Sequence, residues 1–442
     1  MVVAWKKTWE RMHVVYDRFI RTTEPEHVAA VQAVVAKLQE QGDVYRDEYQ
    51  GWYCVPCETY FREDDLCEGG CPDCKRPVEQ LAQPAYFFRT SAYAERLLRY
   101  LEENPEFVQP ETRRREVVSF IEGGLRDACI SRKHPGWGIA MPDDPEHSIY
   151  VWVDALINYL TASGAIRPDA PPADQGFDDV AGSWWPADLH LMGKDILTTH
   201  AVYWPTLLMG VGLPVQRQIL AHGWWVVGDA KMSKSLGNVV DPLSLRERFG
   251  TDAVRWYLMR EMPTGSDASY TPERFLVRYE ELANVLGNLA SRALAMTVKY
   301  RGGVVPEAAG AGMDGAIASA FATARESMER FRVHEALAAA MDLARLANGY
   351  VEERQPWSQA KDPARSADLD ETLATLARVL TALTALFEPV APAHMGELAS
   401  RLGLDAVPTL EQARAVPLGG RVVRAGSPLF PKVDPSWASS AP

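Results

Sequence analysis

Lys231 and Lys234 stand three residues apart in VVGDAKMSKSLGNVVDP, residues 226–242, with Ser233 between them. Two flexible ammonium groups and a small hydroxyl donor at that spacing can close around a polyanion, and a triphosphate is the obvious guest. The flanks suit a mobile loop. Gly228-Asp229 signals a turn, while Asp241-Pro242 supplies an N-cap and a first-turn proline for a helix in LSLRERFG. A bare K-x-x-K pair is equally the mark of a solvated surface loop, so the reading depends on what surrounds it.

A second constellation is Cys54-x-x-Cys57 with Cys71-x-x-Cys74. Four thiolates in two knuckles saturate a tetrahedral zinc and leave no open position, which makes the site structural. The intervening ETYFREDDLCEGG has the polar turns and glycines needed to bring the knuckles together. Disulfides, disfavoured in a reducing compartment, and plain reduced thiols are the alternatives. Cys67 is a spare that could replace Cys71 in the ligand set, and Cys129 reads as a buried small hydrophobe.

These groups need large cores to hold them. The 442 residues suggest about three domains, and 47% apolar residues with 13 tryptophans can fill their interiors. With 46 basic and 59 acidic residues the net charge is -13, so a nucleic-acid partner must be met by local basic patches and not by a global field. The N-terminal MVVAWKKTWERMH lacks the apolar core of a signal peptide. The most apolar run, AVYWPTLLMGVGLP, is too short for a membrane span. The cytoplasm and no membrane partner are expected.

Residues 1–40 read as helices, and residues 43–88 as short aromatic strands, such as VYRDEYQGWYCV, around the knuckles. TSAYAERLLRYLEEN and ETRRREVVSFIEGG are helical patterns. SIYVWVDALINYLTASG reads as a strand running into a helix, DLHLMGKDILTTHAVYWPTLLMGVGLP as strand, Gly-Lys-Asp turn and helix, and RQILAHGWWVV as a third strand. That alternation predicts a parallel sheet with ligands at the carboxyl ends of its strands. DAVRWYLMRE and RYEELANVLGNLASRALAMTVKY are helical, GGVVPEAAGAGMDG at 302–315 reads as a flexible linker, and the rest to about Leu402 as an antiparallel bundle broken at Pro356 and Pro389. The final DPSWASSAP reads as disordered.

YVWVDALINY, HLMGKDI, HAVYWP and KMSKSLGN in this order, with knuckles upstream and a bundle downstream, resemble the class I aminoacyl-tRNA synthetases, and closely the methionyl-tRNA synthetases. The resemblance covers essentially the whole chain. It implies an α/β plus all-α fold: a partial doubly wound, Rossmann-like catalytic domain with a zinc-knuckle insertion, then an antiparallel helical bundle. The implied divisions are 1–42 (helical remnant of the first catalytic half), 43–88 (insertion), 89–225 (second Rossmann half), 226–285 (KMSKS loop and stem contacts) and 286–442 (anticodon-binding bundle). The implied reaction joins methionine to ATP with Mg2+, forming methionyl-adenylate, and transfers the acyl group to tRNA(Met).

Residue by residue, the resemblance assigns pyrophosphate stabilisation to Lys234, with Lys231 and Ser233, and the ribose of ATP to the turn at Gly193 and Asp195. It places one wall of the methionine pocket at Trp152, Ala155, Leu156 and Tyr159, and another at Ile196, His200 and Trp204. Polarizable aromatic walls suit a thioether. Asn288 and Arg292, one helical turn apart, with Trp357, are implied to read the anticodon, and Cys54, Cys57, Cys71 and Cys74 to hold structural zinc.

The family's early His-x-Gly-His motif is absent from these 442 residues, as are the first-strand pocket residues and the acidic anchor of the methionine amine. The expectation is therefore an N-terminally incomplete chain, inactive alone. The sequence ends after the bundle without the C-terminal dimerising module that some relatives carry, so a monomer is expected. The alternative is a catalytically dead tRNA-binding paralogue. A synthetase for leucine, isoleucine, valine or cysteine fits less well, because the insertion is too short for an editing domain and the pocket walls are too aromatic for cysteine.

Overall fold

The computed structural model describes residues 2–442 apart from 56–58, 62, 64–65, 68, 73–74, 134–135, 167–182, 229, 233–238, 435 and 438–442. The chain forms two compact units, Tyr16–Ala221 and Met1–Val15 with His222–Pro442. The helix Val2–Arg11 thus groups with the bundle, and the helix Pro25–Glu40 with the other unit.

In Tyr16–Ala221, the helix Pro25–Glu40 buries His27, Ala30, Val31, Val34, Val35 and Leu38, the stripe that a 3.6-residue period produces. It shares a core with the helix Val151–Ser163. The fully buried His27 is satisfied by that helix, through Thr161 at 3.1 Å and Asp154 at 2.7 Å. An antiparallel sheet orders Thr59–Phe61, Val44–Cys54, Glu79–Phe88 and Ala128–Cys129. A separate three-stranded sheet has Ile219–His222 between Val108–Gln109, to which it is parallel, and His190–Gly193.

The strand preceding VWVDALINY does not join that sheet. Asp144–Ile149 pairs antiparallel with Ser131–Lys133 and Ala140–Met141. Only Pro142 and Asp143 separate it from Ala140–Met141, and so short a connection closes a hairpin and cannot make a parallel crossover. RQILAHGWWVV likewise is not one strand. It divides into Ile219–His222 and Trp225–Val227, which lie in different sheets, the second beside Ala230–Lys231 and Ala268–Ser269. A Cβ on Gly223, at the break, would lie 2.0 Å from the Ser266 carbonyl oxygen, so the backbones meet where only glycine fits.

The other unit has, beside that three-stranded sheet, one mainly helical core that runs from Leu245 to Phe430 and takes in Met12. Gln355 in the left-handed region (φ 49°) ends the helix Val333–Arg354, and Pro356 begins the next. Residues 302–315 are not a flexible linker. Val305 N–H donates to Arg421 C=O at 2.9 Å, and the Gly310 and Ala311 N–H groups donate to the Glu371 carboxylate at 2.9 and 2.7 Å. Glycine-rich composition left backbone donors that a distant carboxylate takes up, and local sequence carries no sign of that partner. Trp437, inside the tail read as disordered, packs on Phe249 with ring centroids 4.7 Å apart. Among the described residues, no helix is long and apolar enough to cross a membrane.

Candidate functional site

The helix Val151–Ser163 starts after an extended Tyr150 and closes on Gly164 in the left-handed region, a C-terminal stop that glycine allows. Trp152 and Leu156, four apart, share a face and line a cavity of ≈ 530 Å³ with Val153, Thr199 and Tyr203. Trp152 is 41% exposed and Leu156 2%, so the tryptophan stands at the open side and the leucine at the floor. Ala155 is half-buried on the same helix.

One turn further on, Tyr159 meets the segment after the strand His190–Gly193. Its hydroxyl lies 2.9 Å from His200 Nε2, and His200 Nδ1 lies 3.0 Å from the Ile196 carbonyl oxygen. A carbonyl only accepts, so Nδ1 carries the proton. Burial lowers the His200 pKa below its usual value and keeps the ring neutral, although the Ile196 bond works the other way. Nε2 is therefore an acceptor, and the Tyr159 hydroxyl donates to it. The tyrosine oxygen is left with lone pairs alone.

His200 sits in a π-helical turn, Thr199–Tyr203, and the fully buried Gln216 donates Nε2–H to the His200 carbonyl at 3.1 Å. Such turns misalign the backbone ladder and recur at functional positions. Trp204 is 1% exposed, with its ring 6.0 Å from Tyr159 and 5.8 Å from Trp185. The structure therefore gathers Tyr159, Ile196, His200 and Trp204, and separately sets Trp152 and Leu156 on one cavity. Sequence reasoning missed His190, whose ring stacks on Tyr159 at 4.1 Å, as well as Trp185 and Gln216. His190 stood in the quoted strand, but only its burial marks it.

Gly193 ends the strand His190–Gly193, and Lys194–Ile196 form a 3₁₀ turn on which Asp195 is exposed. This is the carboxyl end of a strand, where open α/β sheets bind ligands.

Lys231 closes the short strand Ala230–Lys231, whose backbone pairs antiparallel with Val226–Val227. Ser233 and Lys234 lie outside the described residues. The far flank is the expected cap: Asp241 accepts from Leu243 N–H and the Ser244 hydroxyl, both at 3.0 Å, at the start of Pro242–Phe249.

In the bundle, Asn288 is exposed and opens the helix Asn288–Arg301, directly after a second π-helical turn, Glu281–Gly287. Asn348 donates its amide to the Val285 carbonyl within that turn at 3.0 Å. Arg292 pairs with Glu352 at 2.6 Å and lies 5.9 Å over the half-buried Trp357 ring. Arg292 and Trp357 thus meet, with Asn288 one turn before Arg292 on the same helix, although Arg292 has an intramolecular carboxylate partner that sequence did not suggest.

Of the cysteines, Cys54 and Cys71 are buried, whereas Cys57 and Cys74 lie outside the described residues. Cys71 heads a tight turn, accepting from Lys75 N–H at 2.8 Å while its own N–H donates to Arg76 C=O at 2.8 Å. Among the described residues, no three potential ligands cluster. Two buried cysteines, one on a knuckle-like turn, fit the donor set that zinc needs. Cys129 is not an inert hydrophobe but half-buried, receiving a hydrogen bond from Arg132 at 3.2 Å, with its pKa raised by burial and partly offset by that arginine.

Residues 2–83 and 77–294 match the family model of tRNA synthetases class I (M), and residues 314–416 match the anticodon-binding domain of tRNA ligase. The chain is therefore built as a class I synthetase catalytic domain followed by a helical anticodon-binding domain. It is 42% identical to the methionine–tRNA ligase of Caldanaerobacter subterraneus subsp. tengcongensis, over 98% of this chain and 68% of that protein, and 40% identical to that of Bacillus subtilis, over 97% and 67%. It superposes on Mycobacterium tuberculosis methionyl-tRNA synthetase in complex with methionyl-adenylate with TM-score 0.87 and 39% identity, covering 97% of this chain and 86% of that one. The chain belongs to the methionyl-tRNA synthetase family.

Proposed function

We propose that the side chains described above serve the methionine–tRNA ligase reaction, the ATP-dependent activation of methionine and its transfer to tRNA(Met). Methionine binds with its thioether between one wall of Trp152, Ala155, Leu156 and Tyr159 and another of Ile196, His200 and Trp204. Its carboxylate oxygen attacks the α-phosphorus of ATP, which enters with Mg2+ as substrate. The bond to pyrophosphate breaks, and the charge that gathers on the leaving group is met by Lys234, with Lys231 and Ser233. Cations aimed at charge that develops only in the transition state lower the barrier more than they tighten binding. Gly193 and Asp195 hold the ribose. A terminal ribose hydroxyl of tRNA(Met) then attacks the acyl carbon of methionyl-adenylate and releases AMP.

Asn288, Arg292 and Trp357 read the anticodon, with the arginine and tryptophan offering a stacking surface and base-edge donors. Cys54, Cys57, Cys71 and Cys74 hold a zinc whose part is structural. The reaction serves protein synthesis, and the proposal includes the cytoplasm and a monomer.

The observation that carries this reading is the fixed bond order from Tyr159 through His200 to Ile196, which lends an otherwise apolar wall one oriented polar contact. The test is methionine-dependent ATP–pyrophosphate exchange by the purified chain, alongside charging of tRNA(Met). Exchange that disappears in Lys234→Ala supports the proposal. A folded chain that binds tRNA(Met) but neither methionine nor ATP by calorimetry refutes it and leaves a tRNA-binding paralogue.

A further inference from the structure

One buried titratable residue beside the wall has no task in the reaction above. His190 is 4% exposed, and both of its ring nitrogens are buried without a hydrogen-bond partner. A neutral imidazole carries one N–H and one lone pair, and here neither meets a protein partner, so the ring faces around it and not its polar atoms show what it does.

The His190 ring lies face to face with Tyr159, centroids 4.1 Å apart and planes 25° apart. His200 stands edge-on to it at 6.2 Å and 89°, and Trp185 lies at 6.0 Å. The backbone is fixed as well, since His190 N–H donates to Gln218 C=O at 2.9 Å. His190 therefore backs the ring whose hydroxyl must reach His200, and Gln216 holds the His200 carbonyl. A tyrosine hydroxyl sits at the end of a rigid lever, so a tilt of the ring plane displaces the oxygen and breaks a bond of 2.9 Å.

We propose that His190 is a positioning residue for amino-acid recognition, an uncharged flat plate that sets the ring plane of Tyr159 and so keeps its hydroxyl on His200. This rests on the proposed role of Tyr159 and His200 against the methionine side chain. Burial, and then the neighbouring His200, push the His190 pKa down to about 3, which agrees with an uncharged ring.

His190→Phe keeps a flat face and removes the nitrogens, His190→Ala removes the plate, and His190→Leu keeps bulk without a plane. Two readouts are taken: the KM values for methionine and for ATP in pyrophosphate exchange, and the ring-nitrogen NMR shifts of His200 in ¹⁵N-histidine-labelled protein without ligand. The nitrogen shifts report the Tyr159 bond directly. Loss of one aligned aromatic contact and the bond it supports corresponds to about tenfold in affinity. His190→Ala and His190→Leu are expected to raise the methionine KM by about that factor, leave the ATP KM within about twofold, and disturb the His200 nitrogen pattern. His190→Phe is expected to keep the wild-type pattern and a near-normal methionine KM.

Equal changes in both KM values, an unmoved His200 pattern in the alanine and leucine variants, or a phenylalanine variant as impaired as alanine would each overturn the proposal. The leucine and phenylalanine variants decide the matter where the alanine variant does not fold. If the wild type shows no methionine dependence but the His200 pattern collapses in His190→Leu and survives in His190→Phe, the positioning role stands and the methionine reading falls.

Discussion

Lowering the pH tests the burial of His190. The imidazole has an ordinary pKa of 6.5, and in the folded chain it is pushed down to about 3 by burial and by His200. The folded form thus refuses a proton that the unfolded chain accepts. The contribution of this residue to stability is undiminished above about 6.5, falls as the unfolded chain protonates below that pH, and levels off near 3. At ~1.4 kcal/mol per unit, the fall between about pH 6.5 and about pH 5 amounts to about 2 kcal/mol. Every other titrating group adds its own slope, so the quantity to measure is the difference between wild type and His190→Phe, which has nothing to titrate there. Urea unfolding followed by tryptophan fluorescence is run on both proteins at about pH 7 and about pH 5. The variant's stability should fall by about 2 kcal/mol less than that of the wild type. Phenylalanine is bulkier, and overpacking can lower stability at both pH values by ~1–3 kcal/mol without changing the difference. An equal fall in both proteins would mean that the imidazole is solvated or charged in the folded chain, and the reasoning about His190 would fail.

Tyr159→Phe removes the donor to His200 Nε2 and leaves a buried acceptor unmade, so it should lower stability by ~1–2 kcal/mol and raise the methionine KM about tenfold with little change for ATP, as melts and exchange kinetics would show. The remaining lone pairs of the Tyr159 oxygen face any ligand with acceptors only. Methionine sulfoxide, which presents another acceptor, should therefore bind by calorimetry at least about tenfold more weakly than methionine. Gly223→Ala forces a Cβ to 2.0 Å from the Ser266 oxygen and should lower stability by about 3 kcal/mol in thermal melts. Arg292→Ala frees Glu352 and strips the guanidinium from Trp357; the exposed ion pair matters little for stability, within ~1 kcal/mol, while the tRNA(Met) KM should rise at least about tenfold with pyrophosphate exchange unchanged.

Much of this protein is legible along the chain. The apolar stripe of Pro25–Glu40, the cap at Asp241 and the proline break at Pro356 are local, because helix period, capping and proline geometry act over a few residues. The motifs that mark the family are equally local, being short contiguous strings. Tertiary structure alone decided which sheet each strand joins, since a single apolar run reads the same whether it stays in one sheet or divides at Gly223. It also decided that residues 302–315 are tied to Glu371 and Arg421, and that Arg292 meets Glu352 across 60 residues. His190 is the sharpest case. Its letter looks like any histidine in a strand, and its character comes from two nitrogens that find no partner in a wall assembled from segments on either side of it. Burial and hydrogen-bond satisfaction depend on neighbours brought together from distant positions, and no local window of sequence contains them.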